Sequence, residues 1–286
     1  MDRLLVATDF SARSDRALRR AVLIAHRVGA SLVLVHVVDS EWPERLIASD
    51  RSAALEILED TAATMRNVDA IATEVMVVVD DVHTGILSAA DEISADLIII
   101  GPHRTQLRDI FTGTTAERVV RRSTRPLLVA VETPAAQHRK TLLALDFDEA
   151  SKAAARQALD MGVFDHTEVV AMHAFDAPGE SMMRRAMERS EDIGRYVDAE
   201  RDSAAEELQM LLRELGLPAT CQTVVSMEGT PARAILEAAQ SVDSDLIVLG
   251  TNQRKGFERA LIGSVTADVI RDAHRDVLII PVNEAG

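Results

Sequence analysis

The sequence predicts an α/β protein of two tandem domains, each a parallel sheet with helices on both faces. Three observations predict it. The first is an internal repeat. Leu4-Leu5-Val6-Ala7-Thr8-Asp9-Phe10-Ser11 returns as Thr141-Leu142-Leu143-Ala144-Leu145-Asp146-Phe147-Asp148, an offset of 137 residues. Ala95-Asp96-Leu97-Ile98-Ile99-Ile100-Gly101 returns as Ser244-Asp245-Leu246-Ile247-Val248-Leu249-Gly250 at offset 149, and Gly113-Thr114 returns as Gly263-Ser264 at offset 150. The growing offset places the extra length of the second copy mainly between its second and third strands. The second observation is that each copy holds five short runs rich in Val, Ile and Leu with little alternation, the pattern of strands buried on both faces. The third is that amphipathic helical stretches separate these runs, and strand–helix alternation of this kind builds a parallel sheet.

The elements follow in order. Copy one has apolar runs at 3–8, 31–38, 71–79, 96–101 and 127–131; copy two has them at 140–145, 167–174, 219–226, 245–250 and 276–282. Helical patterns cover Ala12–Val28 and Ala53–Arg66 in the first copy, and Ala153–Met161 and Ala199–Leu215 in the second. Ser11, Asp148 and Thr230-Pro231 mark helix starts as N-cap or first-turn residues. A joint near Pro134–Arg139 divides the chain into domains at 1–135 and 138–286. In a sheet of this kind a ligand sits at the carboxyl ends of the strands, near the switch in strand order.

Composition narrows the function classes. Of 286 residues, 47% are hydrophobic and 27% charged, which is ordinary globular composition. Lys plus Arg is 31 against 46 Asp plus Glu, a net charge of -15 that repels a polyanion, so general nucleic-acid binding is disfavoured. The local exception is 101–125, where six arginines (104, 108, 118, 121, 122 and 125) face only Asp109 and Glu117; most of these read as a solvated helix surface. A single cysteine, Cys221, excludes an intrachain disulfide and a cysteine-built metal site, and reads as a small core residue. The longest apolar runs are far too short to span a bilayer, and Met1–Val6 lacks a signal-type start. These features predict a cytoplasmic protein with no membrane partner. Met182, Met183 and Met187 read as packing residues.

The common site motifs are absent. No G-x-G-x-x-G follows the first strand, and no G-x-x-x-x-G-K-[ST], G-x-S-x-G or H-E-x-x-H occurs. A glycine and hydroxyl pattern stands after the fourth strand instead. In copy two it reads Gly250-Thr251-Asn252-Gln253-Arg254-Lys255-Gly256, then Gly263-Ser264-Val265-Thr266. A strand-end glycine allows close backbone approach, and a helix opening at Gly263-Ser264 offers free N–H groups to an anion. Ser264 and Thr266 add hydroxyls. This reads as a phosphate cradle.

With these residues the sequence resembles a tandem universal stress protein, two UspA-type domains covering nearly the whole chain. The resemblance rests on Val6-Ala7-Thr8-Asp9-Phe10-Ser11, Gly229-Thr230-Pro231-Ala232 with Ile235-Leu236, Asp245-Leu246-Ile247-Val248-Leu249-Gly250, and Gly263-Ser264-Val265-Thr266. It implies two Rossmann-like (flavodoxin-like) domains with five-stranded sheets in the order 3-2-1-4-5, whose fifth strands pair across a pseudo-twofold axis. It also implies binding of ATP or another adenine nucleotide, with or without Mg, and stress-response action through a protein partner. ATP-binding members carry G-x2-G-x9-G-[ST]. Copy two matches with Gly250, Gln253 in place of glycine, then Gly263-Ser264; copy one matches with Gly101, Arg104 in place of glycine, then Gly113-Thr114 one residue early. Copy two departs less and is the favoured site. The family's first-strand aspartate corresponds to Asp9 and Asp146, and the ends of the second strands, His36-Val37 and His173-Ala174, line the adenine pocket by the same resemblance. Two alternatives stand beside this reading. One is an interaction scaffold of the same fold that binds no nucleotide, favoured by the lost middle glycines. The other, less favoured, is a slow ATPase. No catalytic residue and no metal ligand is assigned, and the tandem reads as an intrachain pseudo-dimer that leaves further homodimerisation open.

Overall fold

The computed structural model describes residues 1–102, 115–186, 189–217, 221–226, 229–253 and 263–283. In the first domain the strands are β1 (Arg3–Ala7), β2 (Ser31–Asp39), β3 (Thr73–Asp80), β4 (Leu97–Ile100) and β5 (Leu127–Val129). Its helices are α1 (Ser14–Val28), α2 (Glu44–Asn67), α3 (Val82–Glu92) and α4 (Thr115–Arg122). The second domain has β6 (Lys140–Ala144), β7 (Glu168–Phe175), β8 (Cys221–Ser226), β9 (Leu246–Gln253) and β10 (Asp276–Asn283). Between them run α5 (Glu149–Asp160), α6 (Pro178–Arg185), α7 (Ser190–Leu215), α8 (Pro231–Ser241) and α9 (Ser264–Asp272).

All ten of these strands join one sheet in the order β3-β2-β1-β4-β5-β10-β9-β6-β7-β8. Each half therefore has the order 3-2-1-4-5 in its own count, and every pairing within a half is parallel. The halves meet where β5 and β10 pair antiparallel. Leu128 sits opposite Leu278, its own repeat equivalent at offset 150. A residue that pairs with its own counterpart lies on the symmetry axis, so this register places the pseudo-twofold through Leu128 and Leu278.

Successive strand residues point to opposite faces, and both faces are covered. Leu4, Val6, Leu32, Leu34, Leu128, Leu143 and Leu278 pack on one side with α1, α2, α5 and α7. Leu5, Val33, Val35, Ile98, Leu142, Ile247 and Ile279 pack on the other with α3, α4, α8 and α9. Each core runs through both repeats without a break. The recurring aspartates have a structural task. Asp96 Oδ2 accepts from the backbone N–H of Asp2 and Arg3, and Asp245 accepts from Arg139 and Lys140, so each pins the start of its domain's first strand.

The helix starts differ from the sequence expectation: α1 begins at Ser14 rather than 12, α5 at Glu149 rather than 153 and α7 at Ser190 rather than 199. Helix α2 starts at Glu44 rather than 53; its first turns, with Leu46 exposed, present no buried apolar stripe, and Pro43 stands at the N-cap position. The charged segment after β7 is divided into α6 and α7, and Met182 is exposed rather than packed. Asp148 and Thr230 cap α5 and α8, accepting from Ser151 N and Arg233 N. Ser11 also marks the start of α1: its Oγ accepts from Ser14 N at 3.4 Å and its carbonyl from Asp15 N at 3.2 Å, while its hydroxyl donates to Asp9 Oδ1 and Arg13 directly precedes the helix.

A buried polar clamp joins the two halves. Asp276, fully buried at the start of β10, accepts on Oδ2 from Arg20 Nε at 2.7 Å and from His138 Nε2 at 2.9 Å. Its Oδ1 accepts from Val131 N at 2.8 Å and Glu132 N at 3.1 Å. The clamp ties α1, the end of β5 and the interdomain joint to β10. Burial alone would raise the Asp276 pKa; the hydrogen bond from His138 and the Arg20 guanidinium outweigh it and hold the carboxyl below its ordinary value.

Candidate functional site

A pocket of about 320 Å³ opens at the carboxyl ends of β1, β2 and β4 in the first domain. That is the position where a 3-2-1-4-5 sheet changes direction, since β1 has β2 on one side and β4 on the other. The size lies at the lower end of the range for small-molecule sites. Val35, Val37, Ile86 and Ile100 give it apolar walls, and Thr8, Asp9, Ser11, Arg13, Ser14 and His36 give it polar ones.

The turn from β1 into α1 places the polar groups. Asp9 Oδ1 accepts from Ser11 N at 3.1 Å and from the Ser11 hydroxyl at 2.5 Å. Burial of the Asp9 carboxyl works against its charge, but the Ser11 and Ser14 hydrogen bonds and the nearby Arg13 outweigh it, so its pKa is lowered. Asp9 is therefore an anion at the pocket wall, suited to accept from hydroxyl or amino groups. Phe10 holds a left-handed backbone at φ 59°, a conformation strained for a bulky side chain and one that tends to occur at functional sites. Its N–H donates to Thr8 Oγ1 at 3.0 Å, and its ring stacks on His36 with centroids 4.4 Å apart. His36 Nδ1 lies 2.9 Å from the Thr8 carbonyl oxygen.

The second domain repeats the core of this arrangement. His173 Nδ1 lies 2.9 Å from the Leu145 carbonyl oxygen, and Phe147 stacks on His173 at 4.0 Å. The turn around it has diverged. Asp148 stands where copy one has Ser11, so the mouth near Asp146 carries a second carboxylate. Asp146 is exposed, and its N–H donates to Ser151 Oγ at 2.8 Å.

The glycines of the sequence pattern prove to be packing positions. A Cβ on Gly101 would lie 2.6 Å from the Arg13 carbonyl oxygen and 3.0 Å from Ser14 N, backbone atoms of the α1 start. A Cβ on Gly250 would lie 2.7 Å from Ala154 Cβ on α5. Each strand-end glycine lets the first helix of its domain approach. Gly263 is different: it meets open space as the N-cap of α9, with Ser264 exposed beside it. Thr266 is buried, in the first turn of that helix. Its repeat equivalent is Ala116, which lines the first-domain pocket. Gln253 ends β9 with its backbone paired to Asn283, and its side chain lies outside the described part. Arg104, Gly113 and Thr114 lie outside the described residues.

The structure thus gathers Asp9, His36 and Gly101 around one pocket. Sequence reasoning missed Thr8, Phe10, Ser14, Val82, Ile86 and Thr115. A signal for the stacked pair existed: Phe10 and Phe147, like His36 and His173, recur at the same offset of 137.

A repeated parallel α/β unit, fused through its fifth strands and with a pocket at the strand carboxyl ends, defines a tandem Rossmann-like α/β fold. The universal stress protein family model matches residues 1–130 and again 137–281, and the chain belongs to the universal stress protein family. A universal stress protein of Mycolicibacterium smegmatis is 24% identical over 294 residues, covering 97% of this chain and 96% of its own. One from Methanocaldococcus jannaschii is 31% identical over 149 residues, covering 50% of this chain and 82% of its own. The crystal structure of a universal stress protein from Archaeoglobus fulgidus shares the fold, with a TM-score of 0.73 at 19% identity over 99% of this chain and 97% of its own. Among the described residues no helix is long and apolar enough to cross a membrane.

Proposed function

We propose that this protein binds an adenine nucleotide, ATP or a close relative, and acts in a stress response by changing its association with a protein partner. The observation that carries this reading is the first-domain pocket, where Asp9 and His36 meet apolar walls at the strand carboxyl ends. A flat base suits the apolar part, and Asp9 suits an amino or hydroxyl donor. The glycine pattern favours residues 138–286; among the described residues the pocket at the strand ends of residues 1–135 supports a site there as well, and Asp148 in place of Ser11 sets a second carboxylate at the second-domain mouth. Gly263, Ser264 and Thr266, with Gly250, Gln253, Asp146 and His173, form the second, diverged site in this reading. In the first site Gly113, Thr114 and Arg104 take the phosphate end. Hydrolysis is not part of the proposal. A cytoplasmic location is part of this proposal; the single cysteine is compatible with a reducing compartment.

Calorimetric titration of nucleotide-stripped protein with ATP tests this. Micromolar binding is expected. Ser11→Asp copies the second-domain residue, and the added charge is expected to weaken ATP on the order of tenfold, with circular dichroism checking that the variant keeps its fold. No heat up to millimolar ATP would sink the nucleotide reading. It would leave the scaffold reading, which the replacement of both middle glycines by Arg104 and Gln253 favours.

A further inference from the structure

We infer that the first turns of α2, headed by Trp42, dock a basic amphipathic helix of a partner protein. The surface lies beyond the nucleotide reading, since none of its residues lines the first-domain pocket. Trp42 is the single tryptophan of the chain, and it stands 50% exposed one residue before the N-cap of α2. From Glu44 to Ala53 the helix contains no buried residue. About three turns therefore gain little from the body of the domain, although a helix in a protein draws most of its stability from one packed face. Leu46 and Ile57, 49% and 46% exposed, stand with Ala53 on one flank, because steps of seven and four residues return to the same side of a helix.

The second domain shows what covers such a helix. Its corresponding helix is α7, and the extra length of this repeat supplies α6 against it. Gly179 N, in the first turn of α6, donates to the Tyr196 hydroxyl at 3.2 Å, and a Cβ on Gly179 would lie 2.8 Å from the Tyr196 ring. Tyr196 and Val197 pack on a small cluster of Phe175, Ala177 and Ala204, and Ile193 is buried. The covering helix ends in Arg184-Arg185, while residues 190–203 of α7 hold five acids and two bases. The first domain passes from β2 to α2 through Ser40–Pro43 alone and has no counterpart of α6.

Charge names the occupant. Residues 41–60 hold six Asp and Glu against two Arg, a net charge of -4. A second copy would set this charge against itself, and an anionic membrane surface is repelled for the same reason. A helix with lysine or arginine flanking an apolar stripe complements both the acids and the Leu46–Ile57 flank. Tryptophan is among the residue types enriched where interface binding energy concentrates.

The test uses the tryptophan itself. The full chain is titrated with a synthetic helical peptide, leucine along one face and lysine elsewhere, while Trp42 emission is followed. Salt is held at about 0.15 M, which screens attraction beyond about 8 Å. A blue shift that saturates at micromolar peptide is expected as the indole leaves water. A peptide of the same composition in scrambled order has no apolar face and is expected to bind at least about tenfold more weakly. Leu46→Asp separates seating from charge attraction. The added carboxylate would tighten binding by charge alone, whereas it is expected to weaken a seated helix about tenfold. Ile57→Asp repeats the test on the same flank should circular dichroism show that the first variant loses helix. Emission that does not move, equal binding of the two peptides, or tighter binding by the variants overturns the inference. A blue shift that grows with protein concentration in the absence of peptide overturns it too, by placing a second copy on this flank.

Discussion

Replacing Asp276 by alanine is expected to destabilise the protein by about 3–5 kcal/mol, the range for breaking a buried ion pair from one side. The carboxylate is fully buried and accepts four hydrogen bonds, from Arg20, His138, Val131 N and Glu132 N. Alanine leaves the Arg20 guanidinium, itself only 3% exposed, as an uncompensated buried charge. It also strands two backbone N–H groups. Thermal unfolding followed by circular dichroism should show a fall of about 10 °C, taking roughly 2–4 °C per kcal/mol for a chain of this size. A change within 2 °C would mean that the clamp does not hold the halves together. The pH dependence has a definite sign. The folded-state pKa of Asp276 is depressed, so its contribution is fully present above the ordinary value of 3.8 and is lost as pH falls through the lower folded value. Acid unfolding of Asp276→Ala should therefore lack part of the drop below pH 3.8 that the unaltered protein shows.

Gly101→Ala is the second large effect. The added Cβ would sit 2.6 Å from the Arg13 carbonyl oxygen and 2.8 Å from its carbon. Both are backbone atoms, so no side chain can swing away, and α1 must shift at its start. Overpacking of this kind costs about 1–3 kcal/mol. The same shift moves Arg13 and Ser14, which line the pocket. ATP affinity is expected to fall tenfold or more, with Tm lowered by several degrees. A folded variant with unaltered stability and affinity would refute the close approach of α1 to this glycine.

The fold was legible because its signal is repetition and unbroken apolar runs. Leu97–Ile100 and Leu246–Leu249 are buried on both faces, and only a parallel sheet between helix layers asks for that pattern. The strand order and the pairing of β5 with β10 came from family resemblance, and the Leu128–Leu278 register bears both out. The site was legible only in part. Asp9 and His36 stand at strand ends and could be placed. The role of Gly101 was not visible, because the constraint comes from Arg13, 88 positions away in the chain, and not from the turn it sits in. Phe10 escaped because nothing in the local sequence announces a left-handed aromatic. The Asp276 clamp escaped because it has no repeat counterpart: the equivalent residue in copy one is Pro126.

The most direct measurement is hydrogen exchange read by mass spectrometry, with and without saturating ATP. Backbone amides that close around a ligand slow their exchange. Protection is predicted in the segments 7–14, 35–37 and 82–86, which carry the lining of the first-domain pocket, with a weaker effect around 146–151 in the second domain. Protection confined to other segments, or none at all under conditions where ATP is bound, would contradict the placement of the nucleotide at the carboxyl ends of β1, β2 and β4.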